Sequence, residues 1–209
     1  MEEKKQGPES GTSNGMSRRG FLRGAGLSTA GSVLLTSEVF AFEYVEETGK
    51  DLGPDAMTLE IKVNGRMRSL NVEPRTTLAS ALRDHLELTG TKVVCDRGSC
   101  SACTVYIDGK PVNSCMMSVF DVGDREVTTI EGLAKDGVLH PVQEAFIEHD
   151  ASQCGYCTPG MVMSCAHLLE NNKNPTLEDV KDATRGNLCR CGTYPHVFKA
   201  TLAAAKKSS

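Results

Sequence analysis

The chain has no tryptophan, and aromatic residues make up only 5% of its 209 positions. A core of this length therefore lacks the large rings that usually supply much of the buried area. No apolar run reaches the roughly 18–20 residues of a membrane-spanning helix. No stripe of lysine and arginine runs along a predicted face, which argues against a nucleic-acid partner. No Ser-His-Asp arrangement is present. The one short glycine-rich stretch, Gly24–Ala25–Gly26, sits near the amino terminus and follows no strand that would make it a nucleotide loop. The formal charge is only −4. A catalytic triad, a nucleotide site and a nucleic-acid surface all lack support.

What the chain has in excess is cysteine, with nine residues. Cys95, Cys100 and Cys103 read C-x4-C-x2-C, and Cys115 follows after eleven intervening residues. This is the spacing of a plant-type [2Fe–2S] site, in which four thiolates converge on two bridged irons. Gly98 lets the loop curl with its amides towards the sulfurs. Ser99, Ser101 and Ala102 are small enough to leave room beside them. Metal–thiolate bonds would supply cohesion that aromatic side chains do not.

Before this loop, Leu59, Ile61 and Val63 alternate with polar residues, Asn64–Gly65 intervenes, and Met67, Leu70 and Val72 resume. That is a β-hairpin with a type I′ turn. Thr76 or Thr77 can cap a helix bearing Leu78, Ala81, Leu82, His85 and Leu86 on one face, with His85 expected to pack rather than to bind a metal. After the loop, the sequence predicts strands at Thr104–Ile107, Val112–Cys115 and Glu126–Ile130, with Asp108–Gly109 as a tight turn. Strand, strand, helix, cysteine loop, strand and strand together resemble the β-grasp ferredoxin fold.

Beyond residue 138 the apolar period changes to that of helices. Leu139, Val142, Phe146 and His149 share a stripe opened by Pro141. Thr158 and Pro159 begin a second helix, with Met161, Val162, Cys165, Leu168 and Leu169 inward. Thr176 caps a third, with Asp179 completing a capping box and Gly186 ending it. Pro195 begins a fourth, carrying Val197, Phe198 and Leu202. The predicted fold is α+β: a β-grasp domain over 57–135 and a four-helix bundle over 138–209.

Cys154 and Cys157 precede the second of these helices, and Cys189 and Cys191 precede the fourth. Two helix starts then face one site, and their free amides favour a negatively charged thiolate cluster. C-x2-C with C-x-C also suits structural zinc, so the spacing alone leaves the metal open. Cys165 lies inside a helix and is expected to be a buried, inert thiol.

The amino-terminal stretch Ser17–Arg18–Arg19–Gly20–Phe21–Leu22–Arg23 resembles a twin-arginine export signal. A Gly/Ala/Ser-rich segment follows, and Val39–Phe40–Ala41 offers a cleavage site, so residues 1–41 are predicted to be a signal peptide and 42–56 a linker. Met16 is an alternative start. Export of a folded, loaded protein to the periplasm would reconcile nine cysteines with an oxidising compartment.

Four segments together resemble the small iron–sulfur subunit of the xanthine oxidase family of molybdenum hydroxylases: Cys95–Val105, Leu139–Ala145, Gln153–Gly160 and Gly186–Gly192. The resemblance implies two [2Fe–2S] clusters. Cys154, Cys157, Cys189 and Cys191 would hold the inner one, beside the pterin of a molybdenum cofactor bound by a large partner subunit. Cys95, Cys100, Cys103 and Cys115 would hold the outer one, towards FAD on a further subunit or the haem of a c-type cytochrome. Gln153 and Cys191 would reach the pterin edge by hydrogen bonds. No residue of this chain would be catalytic; its role would be single-electron transfer. The family often carries Gly-Glu-Gly-Gly before the second ligand, where this chain has Asp96–Arg97–Gly98–Ser99, a change of charge that can alter the potential or the partner.

Relatives with an export signal on this subunit point first to a periplasmic aldehyde oxidoreductase, and second to an N-heterocycle or purine hydroxylase. A free-standing ferredoxin-like carrier competes, although a carrier needs only one cluster domain. A zinc-stabilised or redox-sensing module also competes, and would be colourless.

Overall fold

The structure is a computed structural model, and it describes residues 53–207 together with Arg19. The export motif, the cleavage site and most of the linker lie outside the described residues. Within 51–209 the chain forms one compact unit.

Strands β1 (Met57–Val63) and β2 (Arg66–Val72) pair antiparallel, with Val63 opposite Arg66. Asn64 and Gly65 both take positive φ, 50° and 76°, as a type I′ turn requires. Ile61, Val63, Leu70 and Val72 face inward and their neighbours face water, so alternation in the sequence becomes two faces of a sheet. β3 (Thr104–Ile107), β4 (Lys110–Asn113) and β5 (Glu126–Thr128) complete a five-stranded sheet in the order β2-β1-β5-β3-β4. β1 and β5 run parallel; the other pairs are antiparallel.

Helix α1 starts at Leu78–Ser80, capped by the Thr77 hydroxyl, which accepts from Ser80 N at 3.2 Å. It continues as a π-helical turn over Ala81–His85. Leu86 N donates to the Ala81 carbonyl at 3.1 Å, five residues back. This corrects the sequence reading of His85. The extra residue in the turn carries its side chain into solvent and returns Leu86 to the core. Leu78 and Leu82 remain fully buried against the sheet. Each such side chain contributes about 1.5–3 kcal/mol by leaving water.

Two strand ends are also earlier than the sequence predicts. β4 stops at Asn113 because Ser114 turns back, its N–H and its hydroxyl both donating to the Cys103 carbonyl, the hydroxyl at 2.7 Å. β5 stops at Thr128 because Thr129 N donates to the Asn64 side chain at 2.9 Å and Ile130–Gly132 curls.

The helical half has α2 (Pro141–Glu148), α3 (Thr158–Asn171), α4 (Leu177–Thr184) and α5 (Tyr194–Lys207). Thr176 and Asp179 form the predicted capping box on α4. α2 has another, between His140 and Gln143. α3 differs by one residue from the sequence reading. Cys157 is its cap and Thr158 its first residue, because the Cys157 carbonyl already accepts from Met161 N at 3.0 Å. The core gathers Val142, Phe146, Met161, Met163, Leu169 and Val197. Tyr106 joins it from β3, and its hydroxyl donates to the Met163 carbonyl on α3. No helix among the described residues is long and apolar enough to cross a membrane.

Candidate metal centres

All nine cysteines are free thiols. Eight of them meet in two groups of four.

In the first group, Cys95 lies beside Cys100, and Cys115 lies beside Cys103 and near Cys95. The loop that carries three of them is wound through positive φ at Asp96 (51°), Gly98 (69°) and Ser101 (51°). That winding turns the amides inward to form an anion-binding nest. The N–H groups of Arg97, Ser99 and Cys100 point at the Cys95 sulfur, with Ser99 N at 3.3 Å. Gly98 N–H serves Cys115. Arg97 N–H, followed by the Cys100 thiol, brings Cys95 down to about 7. Burial, followed by the neighbouring Cys103 sulfur, pushes Cys115 up to about 11 despite the Gly98 N–H. Asn113 pins the loop by donating to the Gly98 carbonyl at 3.1 Å. Cys100, Cys103 and Cys115 are buried, whereas Cys95 is only half-buried.

In the second group, Cys154 pairs with Cys191, and Cys157 pairs with Cys189. The Tyr156 N–H, then the Cys191 thiol, lower Cys154. Burial, then the Cys189 sulfur, pushes Cys157 up to about 12. At Cys189 burial pushes upward but is outweighed, and the thiol comes down to about 7. The Thr193 hydroxyl and N–H, the Cys157 thiol and the Gly192 N–H share that effect, the hydroxyl lying 3.3 Å from the sulfur. Cys191 receives the Cys154 N–H, yet the adjacent Cys154 sulfur, burial and the charge on Cys189 together raise it. Cys154 and Cys191 are exposed.

The donor set fits a two-iron centre. Two sulfurs in hydrogen-bond reach cannot both ionise without a cation between them. A [2Fe–2S] core takes four thiolates, two on each iron. Each group supplies the four thiols that such a core takes.

Cys165 stands apart, fully buried in α3 and pushed up to about 12 by burial, with the Thr201 hydroxyl as partner. Gln153 is exposed beside Cys154. A cavity of about 380 Å³ opens there, lined by Arg83, Lys92, Val93, Cys154, Gly155 and Tyr156. A larger cavity, about 960 Å³, lies between the sheet and the helices and contains none of the cysteines.

Sequence reasoning missed several residues. Tyr194 accepts from Cys189 N at 2.8 Å and donates to the Asn187 carbonyl at 3.0 Å. Thr193 and Asn113 had no pattern to mark them beyond nearness to a cysteine.

The 2Fe-2S iron-sulfur cluster binding domain model matches residues 61–134, and the [2Fe-2S] binding domain model matches 129–202. The nicotine 6-hydroxylase small subunit of Paenarthrobacter nicotinovorans is 46% identical over 150 residues, covering 72% of this chain and 90% of its own. The aldehyde oxidoreductase iron-sulfur-binding subunit PaoA of Escherichia coli K12 is 36% identical over 205 residues, covering 91% of this chain and 88% of its own. Among solved structures, quinoline 2-oxidoreductase from Pseudomonas putida 86 matches with TM-score 0.71 and 38% identity, over 74% of this chain and 96% of that one.

Proposed function

As this chain belongs to the iron–sulfur electron-transfer subunits of the xanthine oxidase family of molybdenum hydroxylases, we propose that Cys95, Cys100, Cys103 and Cys115 hold one [2Fe–2S] cluster and Cys154, Cys157, Cys189 and Cys191 the other. The gathering of the eight sulfurs into two groups of four, each inside a matched [2Fe–2S] domain, carries this assignment. When bound, such a centre supplies one-electron storage and release.

The protein's part is to hold and tune. Peptide N–H groups aimed at Cys95, Cys115, Cys154 and Cys189 stabilise the thiolate form that binds metal. Burial of Cys100, Cys103 and Cys115 keeps water from the first site. Exposure of Cys154 and Cys191 leaves the second open to a large subunit carrying the molybdenum cofactor, with Gln153 and Cys191 hydrogen-bonding the pterin edge. The chain then stands between that subunit and an acceptor, FAD or a c-type haem.

Aldehyde oxidation in the periplasm is the proposed setting. The similarity to PaoA covers 91% of the chain, too much to be confined to residues 53–209. It takes in part of the segment that bears the twin-arginine motif. An N-heterocycle hydroxylase is the second reading, favoured by the 46% identity to the nicotine 6-hydroxylase small subunit.

Metal and sulfide analysis of the anaerobically purified complex tests the ligand assignment. About four irons and four acid-labile sulfides per chain are expected, together with visible colour; zinc, or metal in only one quartet, would overturn it. Replacing Arg18 and Arg19 with lysine should strand the loaded complex in the cytoplasm, and normal export of that variant would remove the periplasmic assignment.

A further inference from the structure

The loop of the first quartet is seated directly on the segments that carry the second. Leu188 N donates to the Cys100 carbonyl at 3.1 Å, so one hydrogen bond joins a residue of the first quartet to the residue preceding Cys189. Asn187, nearly fully buried, donates from its side chain to the Ser101 carbonyl at 3.2 Å across 86 positions of sequence. That carbonyl also accepts from the Thr104 hydroxyl at 2.8 Å. Tyr194 closes the far side, taking the Cys189 N–H and giving its proton to the Asn187 carbonyl. On the other flank, the first turn of α3 meets the same loop at Gly160. A Cβ built there would lie 2.1 Å from the Ser101 carbonyl oxygen and 3.0 Å from the Ala102 Cα. Both are backbone atoms, so the clash has no flexible side chain to relieve it. Gly186 likewise lies close to the Ser101 side chain, 3.2 Å from where its Cβ would stand.

We infer that Gly160, Asn187 and the Leu188 N–H form a clamp on Cys100–Ala102 that sets the distance between the two metal centres. These are positioning residues: none is a ligand, and each acts on a backbone segment flanked by ligands. The inference rests on the assignment of the two quartets to two clusters. Single-electron transfer between centres falls steeply with separation, so the clamp is where this chain's sequence controls the rate between its own two centres. Gly160 is required for close approach, since helix propensity alone would favour alanine at that position. Asn187 adds a donor from the helical half to a Ser101 carbonyl that Thr104 already holds through its N–H and hydroxyl, and so ties the loop to the segment before Cys189.

The test uses the loaded complex, reduced anaerobically, with Gly160→Ala and Asn187→Ala compared with the parent. Pulsed dipolar EPR reads the coupling between the two reduced clusters, which falls with the cube of their separation. The expected result is retention of iron and of both cluster signals with unchanged g-values, but a lower and broader dipolar frequency in both variants. Rapid reduction kinetics should show slower equilibration between the clusters in both variants. An unchanged dipolar frequency in both variants, with both clusters present, overturns the clamp. If Gly160→Ala fails to load, Asn187→Ala decides alone. A parent complex that lacks one of the two signals overturns the cluster assignment instead, and that result is visible before any variant is made.

Discussion

The two quartets solve one chemical problem with opposite uses of the chain. The first takes three sulfurs from nine consecutive residues and the fourth from just past β4; amides of a left-handed loop surround it, and three of its sulfurs lie inside the protein. The second takes two sulfurs from each of two helix approaches, and two of the four face outward. Local winding arranges three of the first site's four sulfurs, and the fourth comes from the turn after β4. The second exists only when α3 and α5 are packed, because nothing but the bundle brings residues 154–157 to 189–191. A site that depends on tertiary packing can lie open at the surface, where a partner completes its cover.

The largest expected effect breaks the symmetry between the sites. Cys103→Ser should remove one EPR signal and lower iron from about four to about two per chain, leaving the helical signal intact. Cys157→Ser should do the converse. It should also lower the midpoint of thermal unfolding more than Cys103→Ser does, because its site ties two separate helices.

A smaller effect separates the thiols once iron and sulfide are removed. Alkylation should take Cys154 and Cys95 first and Cys165 last, by about tenfold or more. The sign follows from the thiolate fraction. Cys95, held near 7, is mostly ionised above that pH, so its alkylation rate should level off where an ordinary thiol with a value of 9.0 is still accelerating. Cys165, pushed up to about 12 and fully buried, should stay unlabelled until the bundle opens. Mass spectrometry of the labelled peptides checks the order; early labelling of Cys165 would mean that the bundle loosens without metal.

The smallest effect tests whether the bundle's stability can be changed without touching either site. Thr176→Ala removes the capping hydroxyl of α4 and should cost about 1 kcal/mol, a fall of about 2–4 °C in melting temperature. Both EPR signals should be retained.

Much of this was legible before the fold was known, wherever a short-range pattern has a single physical solution. Asn64–Gly65 between alternating apolar runs has to be a hairpin, and Thr176-x-x-Asp179 has to be a helix start. The cysteine spacing marked the two groups of four that the fold brings together. Illegible were features set by contacts distant in sequence. The π-turn that turns His85 outward answers to the packing of Leu86, not to the helical period. The His140 cap of α2 uses an imidazole nitrogen where the common caps are hydroxyls and carboxylates. The role of Asn187 depends on a loop 86 positions earlier, which a pattern along the chain does not reveal.

Tyr106 has a consequence for biosynthesis. It belongs to a strand of the sheet but is buried among the helices, and its hydroxyl is satisfied by a carbonyl 57 residues further on. While the chain is emerging from the ribosome, the ferredoxin-like portion is complete before that acceptor has been made, and an aromatic side chain that belongs inside the molecule stays wet. Final closure around Tyr106 therefore waits for residues 158–171.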